Sequence, residues 1–150
     1  MLQVGDTAPD FELPDQYGVP HRLSTLLADG PLALFWYPGA LTSGCTEEAC
    51  YFRDLASEFT AAGAQRVGIS MDTVEAQKTF SDLNSFDYPL LADVGGSVAE
   101  AYGVRQTESE SDPVLRATFV IGTDRTVLRA LEDDRSMEIH ADEALAALRS

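Results

Sequence analysis

Residues 36–50 read WYPGALTSGCTEEAC, and both cysteines of the chain, Cys45 and Cys50, lie inside this stretch. Their spacing is not C-x-x-C, and no further cysteine exists to complete a metal site. The segment ahead of them, LALFWY (32–37), is a continuous apolar run flanked by Pro31 and Pro38. Its length and composition predict a strand covered on both faces. From Cys45 the apolar residues fall at 45, 49, 52, 56 and 59, which is one stripe of a helix. The stretch therefore reads as strand, proline-containing turn and helix, with Cys45 at the helix start.

The rest of the chain extends this pattern. AAG (61–63) supplies a glycine stop, QRVGIS (65–70) reads as the next strand, and TVEAQKTFSDL (73–83) as a helix capped by Asp72 or Thr73. YPLLAD (88–93) is a short extended piece and SVAEAYG (97–103) a short helix ended by Gly103. QTESESDP (106–113) is a polar acidic loop. ATFVIG (117–122) and TVLRAL (126–131) flank a TDR turn as a hairpin, and DEALAALRS (142–150) closes the chain as a helix. Residues 3–30, with prolines at 9, 14 and 20, read as irregular except for a short helix in RLSTLLADG (22–30). The order predicts one α/β domain spanning 1–150, with a mixed central sheet flanked by helices. In open sheets of this kind, sites gather at the carboxyl ends of the parallel strands, where Cys45 falls.

Composition narrows the function. The 150 residues are 45% apolar and 23% charged, ordinary for a soluble globular protein. Ten Lys and Arg against 25 Asp and Glu give a net charge of −15, which repels phosphate backbones and anionic lipid. Nucleic-acid and membrane binding are therefore not expected. No run approaches the roughly 20 apolar residues of a membrane span. The opening MLQVGDTAPDFELPDQ lacks a basic start followed by an apolar block, so a cytoplasmic location is expected. His21 and His140 are isolated in sequence and read as surface residues; no metal or organic cofactor is expected.

Two cysteines in such a chain are either inert core thiols or reactive ones. With Thr42 or Ser43 as cap, Cys45 falls in the first helical turn, where open N–H groups and the helix dipole favour an anion. The position predicts a Cys45 thiol below its usual pKa of about 8.5. Full ionisation would raise the thiolate population at neutral pH only some 30-fold, so a reactive site needs further groups to stabilise the leaving atom. Thr42 and the arginines are the candidates: Arg116, with Arg53 and Arg105 as alternatives. Five residues of regular helix place Cys50 about 7.5 Å along the axis and about 140° around it from Cys45. Their Cα atoms are then roughly 8–9 Å apart, beyond the ~7 Å a disulfide allows. Either they never bond, or the helix start unwinds.

Pro38-Gly-Ala-Leu-Thr42-Ser-Gly-Cys45 resembles the Pro-x-x-x-Thr-x-x-Cys site motif of the peroxiredoxins. CTEEAC (45–50) resembles the bacterioferritin-comigratory, or Q-type, branch of that family. VGDTAPDFEL (4–13) and RATFVIG (116–122) resemble further family segments in the right order, so the similarity covers nearly the whole chain. The resemblance implies a thioredoxin-like fold with an N-terminal extension. It also implies a thiol-dependent peroxidase acting on hydrogen peroxide and organic hydroperoxides. By the same resemblance Cys45 is the peroxidatic thiol and Cys50 the resolving one, joined as an intramolecular disulfide after local unwinding. Thr42 holds the peroxide, Pro38 shields the thiolate, Arg116 supplies positive charge, and Glu48 orients that arginine. Thioredoxin or another dithiol recycles the enzyme, a monomer or weak homodimer. Ser43 stands where the branch commonly has proline, and Gly122 replaces an acidic residue. Leu41 and Trp36 are similar to the one-cysteine peroxiredoxins of actinobacteria, which rely on an external thiol; Cys50 argues against that branch. Two other classes compete: a thioredoxin-like disulfide oxidoreductase, which requires C-x-x-C, and a non-enzymatic redox sensor or chaperone docking through the acidic surface.

Overall fold

The computed structural model describes residues 1–109 and 112–150. The chain begins with a ribbon of β1 (Glu12–Pro14) and β2 (Pro20–Arg22), then α1 (Leu23–Leu26) and a tighter helical turn over Leu27–Asp29. Next come β3 (Leu32–Trp36), α2 (Ser43–Asp54), α3 (Ala56–Ala61), β4 (Gln65–Ser70), α4 (Val74–Asn84), β5 (Leu90–Ala92) and α5 (Ser97–Ala101). A hairpin of β6 (Ala117–Ile121) and β7 (Val127–Glu132) leads to α6 (Ile139–Arg149).

Five strands form one mixed sheet in the order β5-β4-β3-β6-β7. β3, β4 and β5 run parallel, β6 is antiparallel to β3, and β7 to β6. β3 is central, and all of its residues are buried, which explains why its sequence shows no polar alternation. Leu32, Leu34 and Trp36 pack on one face with Leu23, Leu26 and Val98 from α1 and α5. Ala33, Phe35 and Tyr37 face the other layer, built from α2, α3, α4 and α6 through Phe52, Phe59, Phe80 and Leu145. Phe35 and Phe52 stack with ring centroids 4.1 Å apart, fixing α2 over the sheet centre. The packing is tight enough to demand glycine in β4: a Cβ on Gly68 would stand 3.0 Å from Phe35 Cζ and 3.1 Å from Tyr37 Cε1.

Three expectations change. The apolar stripe over 45–59 is not one helix, because the chain leaves helical geometry at Leu55 (φ −95°, ψ 21°). Arg66 Nη1 donates to the Phe52 carbonyl at 2.9 Å, satisfying an acceptor freed at that break. Residues 3–30 are not irregular throughout. Asp15 Oδ1 accepts from the N–H groups of Tyr17 and Val19 and turns β1 into β2. Buried Gln16 then ties this extension to β5 by donating to Tyr88 O and accepting from Leu90 N–H. The closing helix starts at Ile139 rather than 142 and so includes His140. The acidic loop expected over 106–113 lies partly outside the described residues; at its base, Gln106 N–H donates to Pro113 O at 2.7 Å. Among the described residues, no helix is long and apolar enough to cross a membrane.

Candidate active site

At the carboxyl end of β3 the chain passes through Pro38–Leu41 into α2. The loop is tied down from outside: Ala40 N–H donates to Asp72 Oδ2 at 2.8 Å. The same oxygen accepts from Ser70 Oγ at 2.7 Å, and Ser70 accepts from Gln77 Nε2 at 2.9 Å. Gln77 in turn accepts from the buried Tyr37 hydroxyl. Leu41 takes a left-handed conformation (φ 69°) that costs a non-glycine residue about 1 kcal/mol, so this anchoring holds some strain.

Thr42 occupies the N-cap position of α2 with extended backbone (φ −84°, ψ 153°) but, contrary to expectation, caps nothing with its side chain. Its hydroxyl donates instead to Gly39 O at 2.8 Å, which leaves the oxygen lone pairs free to accept. The α2 start therefore keeps open N–H groups around Cys45, the third residue of the helix.

Cys45 is buried, and Arg116, just ahead of β6, reaches it with Nη1 at 3.4 Å from Sγ. The same nitrogen donates to Glu48 Oε1 at 2.8 Å, while Arg116 Nε donates to Asp134 Oδ1 at 3.0 Å. Gly44 lies beside the guanidinium: a Cβ there would make ordinary contact with Arg116 Nη2, at 3.4 Å. Pro38 is half-buried at the start of the loop and lines a cavity with Arg116 and Asp134. Of the alternative cations, Arg53 is turned to Asn84 O (2.7 Å) and Arg105 to Glu100 (3.6 Å), so neither is brought to Cys45.

Cys50 faces elsewhere. It is half-buried, with Sγ 3.5 Å from Asn84 Oδ1 on α4, and burial pushes its thiol up. Both cysteines are free thiols on one unbroken helix, so the turn of about 140° between them stands. Phe52 and Ala49 hold the later part of α2, the latter through the Tyr88 hydroxyl on its carbonyl at 2.6 Å. The first turn is tied by Thr46, whose N–H and hydroxyl both donate to Thr42 O at 2.9 and 2.6 Å, and by Arg116 to Cys45.

His140 is not a surface residue: it is fully buried on α6, with Nδ1 2.7 Å from Thr118 Oγ1 and Nε2 2.7 Å from Asp133 O. His21 is half-buried against Asp15 at 2.8 Å. Sequence reasoning also passed over Asp134, Thr118 and the Asp72 anchor. The available sign for His140 was its i, i+4 relation to the apolar Ala144, which puts both on the inner stripe of α6. Among the described residues, no group of three or more His, Cys, Asp or Glu is arranged to hold a metal ion.

Burial pushes the Glu48 carboxyl up to about 8, against the pull of Arg116. The unfolded chain releases this proton near the ordinary 4.5, so between about 4.5 and about 8 the folded state binds more protons. The contribution of Glu48 to stability is thus intact at low pH and lost as pH rises through that window. We expect wild type to lose up to a few kcal/mol relative to Glu48→Gln across it, measured by urea unfolding. Parallel pH dependences for the two proteins would contradict this.

The chain matches the model of the AhpC/TSA family over residues 4–130. It is 55% identical to peroxidoxin BcpB of Mycobacterium tuberculosis, whose crystal structure superposes with a TM-score of 0.95, covering 99% of this chain and 97% of that one. Peroxiredoxin Bcp of Escherichia coli is 34% identical over 143 residues, 93% of this chain and 91% of its own length. Peroxiredoxin Q of Xanthomonas campestris is 29% identical with a TM-score of 0.84, over 93% and 89% of the two chains.

Proposed function

We propose, from the premise that this chain belongs to the AhpC/TSA family and is a peroxiredoxin of the Q-type/Bcp branch, a thiol peroxidase, that Cys45 is its peroxidatic and Cys50 its resolving cysteine. The observation that carries this reading is the Arg116 guanidinium 3.4 Å from Cys45 Sγ, beside an uncapped helix start.

The Cys45 thiolate attacks one oxygen of hydrogen peroxide or an organic hydroperoxide. An S–O bond forms and the O–O bond breaks; sulfur is oxidised to the sulfenic acid, and the other oxygen leaves as water or alcohol after taking a proton. Thr42, whose hydroxyl hydrogen is engaged with Gly39 O, accepts the peroxide O–H and so orients the attacked oxygen. Arg116 and the N–H groups of the first turn stabilise charge as it moves from sulfur to the leaving oxygen. Pro38 screens the sulfur from bulk water. Cys50 then attacks the sulfenic sulfur, forming a disulfide and releasing water; this requires the first turns of α2 to unwind. Thioredoxin or another dithiol reduces the disulfide by exchange, and the cycle runs in the cytoplasm.

Cys50→Ser tests the reading. It is expected to consume one equivalent of peroxide per chain at the wild-type rate and then stall with a thioredoxin system, cutting steady-state turnover at least about 100-fold. Undiminished turnover would remove Cys50 from the cycle and leave the one-cysteine scheme with an external thiol. C-x-x-C exchange chemistry has no support in the Cys45–Cys50 spacing.

A further inference from the structure

We propose that His140 is a positioning residue for the peroxidatic centre: it holds Glu48 as the neutral carboxylic acid, so that the Arg116 charge is directed at Cys45. The inference rests on the reading of Cys45 as the peroxidatic thiol.

Glu48 is completely buried. Its Oε1 accepts from Arg116, but Oε2 has no hydrogen-bond partner among the described residues. His140 Nδ1 lies 3.6 Å from Oε2. A buried carboxylate oxygen without a donor is costly, whereas a protonated one becomes a donor itself. The histidine beside it favours the protonated form. Asp133 O is a carbonyl and only accepts, so His140 Nε2 carries the ring hydrogen. Nδ1 is then the unprotonated nitrogen: its single lone pair accepts from the Thr118 hydroxyl at 2.7 Å, and this electron-rich edge stands 3.6 Å from Glu48 Oε2, where it repels a carboxylate but not a neutral carboxylic acid. Burial favours the neutral form of both groups, pushing His140 down and Glu48 up, which keeps the proton on the carboxyl.

The charge balance gives this proton its role. Arg116 is the only cation touching Cys45 among the described residues, and it also contacts Glu48 and Asp134. With Glu48 ionised and Cys45 a thiolate, one guanidinium faces two buried anions besides Asp134, whose side chain is 76% exposed and water-screened. With Glu48 neutral, Cys45 is its sole buried counter-charge. The other charged groups around the cluster are otherwise engaged. The Asp133 carboxylate accepts from the N–H groups of Arg135 and Ser136, Arg53 turns to Asn84, and the hydroxyls of Tyr51 and Tyr88 bond to Asp142 and Ala49 O.

The test is the second-order rate of Cys45 oxidation by hydrogen peroxide across pH in wild type, His140→Phe and His140→Asn. The wild-type rate is expected to fall at alkaline pH as Glu48 ionises and competes for Arg116. His140→Phe removes the ring nitrogen that disfavours the Glu48 carboxylate and should move this fall down by about one pH unit or more. His140→Asn, which offers an oxygen close to the position of Nδ1, should restore it. Superimposed wild-type and Phe profiles, or equal shifts in Phe and Asn, would overturn the inference, the latter because it marks a merely structural role. Should His140→Phe not fold, the protonated-carboxyl infrared band of Glu48, identified by its loss in Glu48→Gln, is followed across pH in wild type and His140→Ala: a band lost at lower pH in the variant supports the inference, and coincident titrations sink it. A wild-type Cys45 that no peroxide oxidises at any pH overturns the proposed function instead, and is distinguishable because failure of this inference alone leaves the wild-type rate intact.

Discussion

Cys45→Ser is expected to fold as the wild type does and to lose peroxide reduction by at least about three orders of magnitude. The substitution exchanges one small buried atom for another, so the Phe35–Phe52 stack and the α2 packing remain. What disappears is the only group in the site able to give up an electron pair to a peroxide oxygen near neutral pH. A serine hydroxyl in the same place still receives the Arg116 hydrogen bond, yet remains protonated and is not oxidised. Peroxide consumption in rapid mixing, with far-ultraviolet circular dichroism to confirm the fold, measures this. A Ser variant as fast as the wild type would mean that the chemistry occurs elsewhere, and the geometry around Cys45 would then have no catalytic meaning.

Arg116→Gln should lower the second-order rate of Cys45 oxidation by about 10²- to 10³-fold, the usual loss when a preorganised charge is taken from a developing anion. Glutamine fills much of the same space but cannot span Cys45, Glu48 and Asp134 at once, which Arg116 does from Nη1 and Nε. Glu48 also loses its donor, so the variant should be less stable at neutral and alkaline pH than at acid pH. Arg116→Lys keeps a point charge without the planar fork and should recover only part of the rate. A rate within a few-fold of wild type in Arg116→Gln would show that helix-start N–H groups suffice, since Arg53 and Arg105 point to Asn84 and Glu100.

Much of this arrangement was legible because strong local signals and the motif agreed. The run 32–37 became the central strand since a segment apolar on both faces has nowhere else to go. Cys45 fell at a helix start because proline ended the strand seven residues earlier. Less was visible where a polar residue is buried by its surroundings rather than by its own pattern. Glu48 lies on the Cys45 side of α2, but only the closure of α6 and β6 over it makes that side dry. His140 was hidden for the same reason, and the short 142–150 pattern ended before reaching it. The β1–β2 ribbon escaped detection because Pro14 and Pro20 suppress a strand signal, although an isolated two-stranded edge tolerates both. The break at Leu55, whose freed Phe52 carbonyl is taken up by a distant arginine, Arg66, leaves no mark in the apolar stripe.

The most direct measurement treats Cys50→Ser with one equivalent of hydrogen peroxide in the presence of dimedone, then maps the adduct by peptide mass spectrometry. Without its resolving partner the sulfenic acid persists, so the dimedone adduct should sit on the peptide carrying Cys45. Peroxide consumed while that peptide stays unmodified would contradict the proposal that Cys45, held against Arg116, is where the oxygen is transferred.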